Sequence, residues 1–564
     1  MSLLARFRRR NLPPPPPDPN SVNYTPEHVA LAKTIARRQK LFRIFSRNIS
    51  KVQAGLTFIA VLWLLALPYE GLWKTTHVDE HALQPAQVAV YFDWANVHKA
   101  DVYLGELERI SMSNSTFTLR TEYLQNAFSA AGLYTGNTTI ATYALVTPPR
   151  ATGMETIIVS ANWLSRDGSE NLRGIAMLLA LGDFLRGQNH WAFDFILVVG
   201  EGYQSGLAQF MTQYHSLFPG VIWTGLNIDY PGHSFSHLGV FYEGTNGRLP
   251  NQDVINTVSK VAQYTGQVPL RYHNIPDQPL HRIPWLGKYL LAAKHLLHHF
   301  AYAALGRASA GHGPLAKYRI DSLTLYCTPA TGPHGFHTLG RTLESTLRSF
   351  NNLLERLHAS YFFYLLPSPN HFIPVGNYLP AAVLLGASLT VGGLDCPAPE
   401  QALGYLVLAF GSAAAVFSPL FATTTTIAFS ALFAYYPRPR GHAYTSLRSM
   451  TLLLYGAFIP TLAMVNFAQS ILLASFAHVY LHLYSFLGLD ARVRRWARIV
   501  VVAATMPPTV LSILKAVGKV DLEEEWQVGG NLGWVGVYVV WVPLWILGVM
   551  LMRERGDGDR IDGD

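Results

Sequence analysis

The chain has 564 residues, 14% charged and 50% hydrophobic, with a formal net charge of +8. A soluble globular chain carries about a quarter charged residues, so a protein that meets only water is excluded, while a mean hydropathy of +0.17 excludes one buried in lipid throughout. Two cysteines exclude a disulfide framework and any thiolate-rich metal site, and 45 Gly with 34 Pro in no fixed period exclude a collagen-like chain.

Residues 1–51 form a basic, proline-rich tail. Arg6, Arg8, Arg9 and Arg10 precede the run Pro13 to Pro17, which favours extended polyproline II. Arg37, Arg38, Lys40, Arg43, Arg47 and Lys51 follow, and then an apolar block over 52–73. About 20 apolar residues cross a hydrocarbon core, so the block reads as a first transmembrane anchor whose basic flank stays in the cytosol. It begins too far into the chain, and runs too long, for a cleaved signal peptide. Beside a span, the arginines read as a topology signal or a contact with anionic headgroups, not as a nucleic-acid patch.

From 74 to 366 the composition is that of a water-soluble domain. Glu155-Thr-Ile-Ile-Val-Ser160, Asp194-Phe-Ile-Leu-Val-Val199 and Gly220-Val-Ile-Trp-Thr-Gly-Leu-Asn-Ile-Asp229 read as strands, with a helix over Glu170 to Arg186 between the first two. Nearly continuous apolar strands alternating with helices predict an α/β domain, a mostly parallel sheet covered on both faces. Residues 367–552 are membrane-like. Seven further spans fit near 374–394, 401–420, 422–436, 449–466, 467–487, 497–516 and 531–552, about eight in all, before a tail at 553–564. Arg438, Arg440 and Arg448, then Arg492, Arg494, Arg495 and Arg498, then Arg553 and Arg555 all fall on the amino-terminal side of the membrane. The positive-inside bias therefore puts both termini in the cytosol and the large domain across the membrane. The sequons at Asn114 and Asn137 suit such a lumenal surface as glycosylation candidates.

Several segments carry candidate chemistry. Ile157-Ile-Val-Ser-Ala-Asn-Trp-Leu164 follows a strand, and Glu170 stands four residues before Gly174. Val198-Val-Gly-Glu-Gly202 ends another strand, Asn227-Ile-Asp-Tyr-Pro-Gly232 a third, and His334 and His337 come late. In this order the domain resembles the zinc-dependent exopeptidases with two co-catalytic metals, a parallel α/β fold. The resemblance puts Asn162 and Leu164 where that family has a His-x-Asp pair, and Glu170 at the metal-bridging position. It makes Glu201 the counterpart of the general base, Gly202 the replacement of a ligand, Asp229 a retained ligand, and His337 or His334 the final histidine. Two zinc ions need several anionic or imidazole donors converging on one pocket. The expectation is therefore a degenerate site with Glu201 a vestigial base. No cofactor is expected beyond a weak single cation on Glu170 and Asp229, which otherwise are sheet-end carboxylates satisfied by backbone N–H groups.

Four longer runs are more specific: Asn351-Asn-Leu-Leu-Glu-Arg-Leu-His-Ala-Ser-Tyr-Phe-Phe-Tyr-Leu-Leu-Pro367, Gly244-Thr-Asn-Gly-Arg-Leu-Pro-Asn-Gln-Asp253, Tyr318-Arg-Ile-Asp-Ser-Leu-Thr-Leu325 and Arg186-Gly-Gln-Asn-His-Trp-Ala-Phe-Asp194. With one peptidase-like domain set between a first span and a multi-span bundle, the chain resembles the Gaa-type subunits of the glycosylphosphatidylinositol (GPI) transamidase over nearly its whole length. The resemblance implies a non-catalytic subunit in the endoplasmic reticulum membrane that helps present the GPI lipid and precursor proteins. A cysteine-protease-like partner subunit would do the chemistry. A metal-dependent peptidase-like enzyme is the alternative.

Leu343, Leu347, Phe350, Leu354 and Leu357 recur at helical spacing before the aromatics Tyr361 to Tyr364. They read either as an amphipathic interfacial helix or, in the first half, as core. Asn466, Gln469, His478 and His482 are polar groups at membrane depth, candidates for the lipid headgroup or for bonding a partner's helix. His295, His298 and His299 read as a solvated or partner-facing surface with no carboxylate nearby, and Cys327 as a buried free thiol or an inter-subunit disulfide.

Overall fold

The computed structural model describes residues 26–77, 89–113, 116–352, 363–394, 399–416, 441–486 and 530–552, with the single positions 510 and 526. The chain divides into two compact units. One holds residues 66–377 with 524–531 and is built on a sheet; the other holds 1–65, 378–523 and 532–564 and is helical.

A short strand β1 (Lys74–Thr75) opens the sheet unit. The main sheet follows: β2 (Tyr134–Asn137), β3 (Ala141–Val146), β4 (Glu155–Asn162), β5 (Asp194–Gly200), β6 (Val221–Asp229), β7 (Phe235–Phe241), β8 (Leu270–Tyr272) and β9 (Asp321–Pro329), in the order β2-β3-β5-β4-β6-β9-β7-β8. The four central strands β5, β4, β6 and β9 are parallel to one another, while β3 and β7 run against β5 and β9. The sheet is thus mixed: parallel at its centre, antiparallel where β2 meets β3, β3 meets β5 and β7 meets β9, and parallel again between β7 and β8. Successive side chains point to opposite faces of a strand. Ile157 and Val159 accordingly enter one core with the helices Trp94–Met112, Leu172–Arg186 and Phe336–Asn351, while Ile158 enters another with Leu207, Phe210 and Tyr214 of the helix Ser205–Leu217. Both faces are covered, which is why the central strands read as unbroken apolar runs.

Leu343, Leu347 and Phe350 are buried in that core, so the first half of the supposed interfacial helix packs against the sheet. Leu354, Leu357, Tyr361 and Phe362 lie outside the described residues. Tyr364 is buried too, donating to the Pro250 carbonyl at 2.7 Å. It begins β10 (Tyr364–Ser368), which with β11 (His371–Pro374) and β1 makes a second, three-stranded sheet.

In the helical unit, three helices among the described residues are long and apolar enough to cross a membrane: Asn48–Ala66, Val375–Gly392 and His442–Val465. Shorter apolar helices cover Phe467–Leu481 and Val539–Leu551. The expected span near 422–436 and, but for position 510, the one near 497–516 lie outside the described residues.

Candidate functional site

In open α/β sheets ligands bind at the carboxyl ends of parallel strands, and the singled-out segments end there. Asn162 closes β4 and is buried; its Nδ2 donates to the Tyr203 carbonyl at 2.6 Å and to Asn227 Oδ1 at 3.4 Å. Asn171, just before the helix Leu172–Arg186, bridges two neighbouring strands. Its Nδ2 donates to the carbonyls of Asn162 and Ile228, each at 3.0 Å, and its Oδ1 accepts the Tyr230 N–H at 2.7 Å. Ser160 Oγ donates to Asn227 Oδ1 at 3.0 Å. Neutral amides therefore knit together the strand ends where metal ligands would converge. Asn171 and Asn227 both donate and accept, while Asn162 donates through Nδ2 and its Oδ1 has no partner; none of the three brings a charge into the interior.

The carboxylates stand apart from one another in partnership. Glu170 is exposed and accepts from Ser111. Glu201, the first residue after β5, accepts from Arg120 Nη1 at 3.3 Å; burial raises its pKa and Arg120 opposes the rise. Gly202 has φ +67°, a left-handed backbone that a glutamate would adopt only under strain, so the conformation itself has moved away from carrying a ligand there. Leu164 donates its N–H to the Gly202 carbonyl at 3.2 Å and presents only a hydrocarbon side chain. Asp229 ends β6 and is 1% exposed. Its Oδ2 accepts the Arg166 N–H at 2.9 Å, and its Oδ1 meets no donor of the chain. Burial pushes its carboxyl up to about 6.

The late histidines go elsewhere. His337 stacks on Trp94 with ring centres 4.5 Å apart, and His334 pairs by its backbone with Phe235. Among the described residues no three His, Cys, Asp or Glu side chains are grouped to hold a metal. The residues present do not fit a two-zinc centre: Asn162 and Gly202 supply no anion, Leu164 no lone pair, and Glu201 is committed to an arginine.

The structure gathers a different cluster, which the sequence reading missed. Glu243, two residues past β7, is wholly buried. Both its oxygens lie 2.8 Å from His273 Nε2, and Oε1 lies 3.1 Å from His299 Nδ1. His312 Nε2 meets the Glu243 carbonyl at 3.1 Å and its Nδ1 meets Thr324 Oγ1 at 2.9 Å. Burial alone would raise the Glu243 pKa, but the two histidines hold it well below the usual carboxylate range. His273 has φ 53°, and its ring stacks on Tyr302. Arg166 donates to the Tyr302 hydroxyl and to the Ser309 carbonyl, and its guanidinium lies 3.9 Å over the Phe241 ring. Its backbone is the one that caps Asp229.

This corrects the surface reading of the histidines. His295 and His299 are buried, only His298 is exposed, and the missing carboxylate arrives from β7. Burial lowers the His295 pKa to about 4. Two signals pointed inward: the i, i+4 spacing of His295 and His299, and the position of Glu243 immediately before the run Gly244 to Asp253.

Of the remaining candidates, Asn137 is exposed at the end of β2, and Asn114 lies outside the described residues. Cys327 is a free thiol, wholly buried within the chain, and burial drives its pKa well up. Asn466 caps a helix junction, its Oδ1 accepting the Gln469 N–H at 3.0 Å, with Gln469 half-buried beside it. His478 Nε2 meets Ser388 Oγ at 2.8 Å, joining two helices of the same unit. The side chain of His482 lies outside the described residues.

A family model described as "Gaa1-like, GPI transamidase component" matches residues 138–406. The GPI transamidase component gaa1 of Schizosaccharomyces pombe is 29% identical over 386 residues, which is 63% of this chain and 65% of that protein. GAA1 of Saccharomyces cerevisiae is 27% identical over 404 residues, 70% of this chain and 61% of that one. The chain thus spans less than two thirds of the length of these relatives. Among solved structures, a Fimbriiglobus ruber glutaminyl cyclase is 12% identical, with a TM-score of 0.32 over 47% of this chain and 99% of that one. The LapA aminopeptidase of Legionella pneumophila is 10% identical, with a TM-score of 0.30 over 48% and 78%. In sequence, this chain is similar to the Gaa1-like GPI transamidase components over residues 138–406, most of its sheet unit and the start of the helices that follow.

Proposed function

We propose that this chain is a non-catalytic subunit of a GPI transamidase, which helps present the GPI lipid and precursor proteins for anchor attachment while a cysteine-protease-like partner subunit carries out the reaction. The observation that carries the reading is chemical. At the strand ends, within the segment matched by the family model, the neutral amides Asn162, Asn171 and Asn227 are buried and bonded within the chain, and Glu201 is paired with Arg120. Such an arrangement holds the strand ends together and offers no paired donors to activate water. In this proposal the chain is a multi-pass protein of the endoplasmic reticulum membrane. It has about eight spans, both termini in the cytosol, and a lumenal sheet unit with Asn114 and Asn137 as glycosylation sites. Three apolar helices of spanning length and the placement of the basic loops support that arrangement.

The test is replacement in cells that lack the chain. Wild type should restore anchored proteins at the cell surface and co-purify with a cysteine-protease-like subunit. Glu201→Gln should do both nearly as well. Loss of anchoring by Glu201→Gln in an assembly that still forms would refute the non-catalytic reading and favour a metal-dependent enzyme.

A further inference from the structure

The two places where residues 66–377 of the sheet unit join an apolar helix of spanning length are tied together in this structure. Residue 67 follows directly on the apolar helix Asn48–Ala66, and β11 runs directly into the helix Val375–Gly392. β1 pairs with β11 through Lys74 with Phe372 and Thr75 with His371, and Asn377 Nδ2 donates to the Leu72 carbonyl at 2.8 Å. If those helices span a bilayer, this small sheet marks the face of the unit that lies on it.

The helix Pro284–Leu305 shares that side. Lys288 Nζ lies 3.0 Å from Glu70 Oε1, and Glu70 is only the fourth residue after Ala66. The helix starts differently from how it continues. Its later turns bury Ala292 and His295, but the positions seven residues earlier on the same stripe, Trp285 and Lys288, are exposed. The first turn therefore projects beyond the body of the unit. The loop before it is pressed against it: a Cβ on the buried Gly287 would sit 2.8 Å from the His281 carbonyl oxygen and 2.9 Å from Pro279. That contact holds the loop with its apolar side chains outward.

The resulting patch contains Tyr69 (65% exposed), Leu280 (52%), Ile283 (45%) and Trp285 (70%), with Arg282 and Lys288 exposed among them. Leaving these in water is costly, at about 25 cal/mol for each Å² of apolar surface. Aromatic rings with a polar edge, branched aliphatics and long cations are the composition of proteins at the headgroup level. There the apolar parts enter the acyl boundary and the charges stay among phosphates. We propose that this patch, formed by Tyr69, Leu280, Ile283 and Trp285 with Arg282 and Lys288, docks the sheet unit onto the phospholipid surface of the bilayer. It rests on the membrane-spanning reading of the apolar helices. Its consequence is a fixed standing of the unit on the membrane.

The experiment uses the full chain, with the partner subunits that co-purify with it, in nanodiscs of phosphatidylcholine and phosphatidylglycerol. On a Cys396→Ser background, nitroxide is attached at Ile283→Cys, at Met154→Cys and at Ile59→Cys. The ratio of collisions with oxygen to collisions with a water-soluble nickel chelate is read at each. Met154 is an exposed apolar residue outside the patch, and Ile59 lies in the first apolar helix. The label at 283 should give a ratio several-fold above that at 154 and below that at 59, and adding Trp285→Glu should lower it. A ratio at 283 equal to that at 154, with 59 in lipid, overturns the patch alone. Collisions of both kinds suppressed at 283 also overturn it, because a protein neighbour then covers the site. A watery label at 59 overturns the membrane reading and the patch together.

Discussion

Asp229 and Glu243 are both carboxylates of the sheet unit hidden from water, 1% and 0% exposed, yet their surroundings drive them in opposite directions. Asp229 is held by one backbone N–H, and burial pushes its pKa up to about 6. Glu243 is held by two imidazoles and sits well below the ordinary range, despite deeper burial. A buried anion is tolerated where partners replace its water and resisted where they do not. At the strand ends Asp229 and Glu201 are held separately, one by a backbone N–H and one by an arginine, whereas beyond β7 two imidazoles meet one carboxylate. A residue's position in a motif therefore says less about its present role than the groups that face it.

The contrast is easiest to break at Glu243. Glu243→Ala leaves His273 and His299 buried without their anion and should cost about 3–5 kcal/mol, as removing one partner of a buried pair does. Urea denaturation of the purified protein, followed by a probe in the sheet unit, measures it; an unchanged midpoint would mean that the cluster adds nothing. The pH dependence has a definite sign. Because the folded carboxyl lies below its unfolded value, the stabilisation is present above the unfolded pKa and lost as pH falls through the folded one. Glu243→Gln should flatten that acid limb.

Asp229 should show the reverse. Its folded pKa is raised, so its contribution is complete below the unfolded value of 3.8 and disappears as pH climbs through about 6. Each factor of ten in proton affinity is worth about 1.4 kcal/mol, so the ionised side chain costs roughly 3 kcal/mol at neutral pH. Asp229→Asn should raise the unfolding temperature at pH 7 and have little effect at pH 4. A lowered unfolding temperature at pH 7, matched by treating wild type with a chelator, would instead reveal a held cation. Next in size, Asn171→Ala removes three hydrogen bonds among buried groups and should cost about 1–3 kcal/mol. Stability unchanged by this substitution would show that the amide network does not join the strand ends. The smallest effect is at Glu201→Gln, whose partly exposed pair with Arg120, 3.3 Å apart, should change stability by less than about 1 kcal/mol.

Much of the fold was legible because period and composition act locally. The runs around Ile157 and Ile196 have apolar side chains on both faces, and that alone requires cover on both sides. The antiparallel flanks β3 and β7 were not legible, since strand direction depends on which neighbour a strand meets. The strand-end residues could be named from order and spacing, because Asn162 and Asp229 each close a recognisable strand and Glu201 directly follows one. Their present partners could not, since Arg120 and Arg166 reach them from other segments.

The sequence by itself determined that lipid-like blocks flank an α/β core, and that Leu164 and Gly202 cannot donate to a metal. Those facts reside in side-chain chemistry and hold in any conformation. Only the tertiary structure decided that Leu343 and Phe350 face the core, that His295 turns inward, and that Glu243 meets His273 and His299 from 30 and 56 residues away. Such pairings arise when the sheet and its helices close around buried charge. Chain order carries no record of which distant groups will be there to satisfy it.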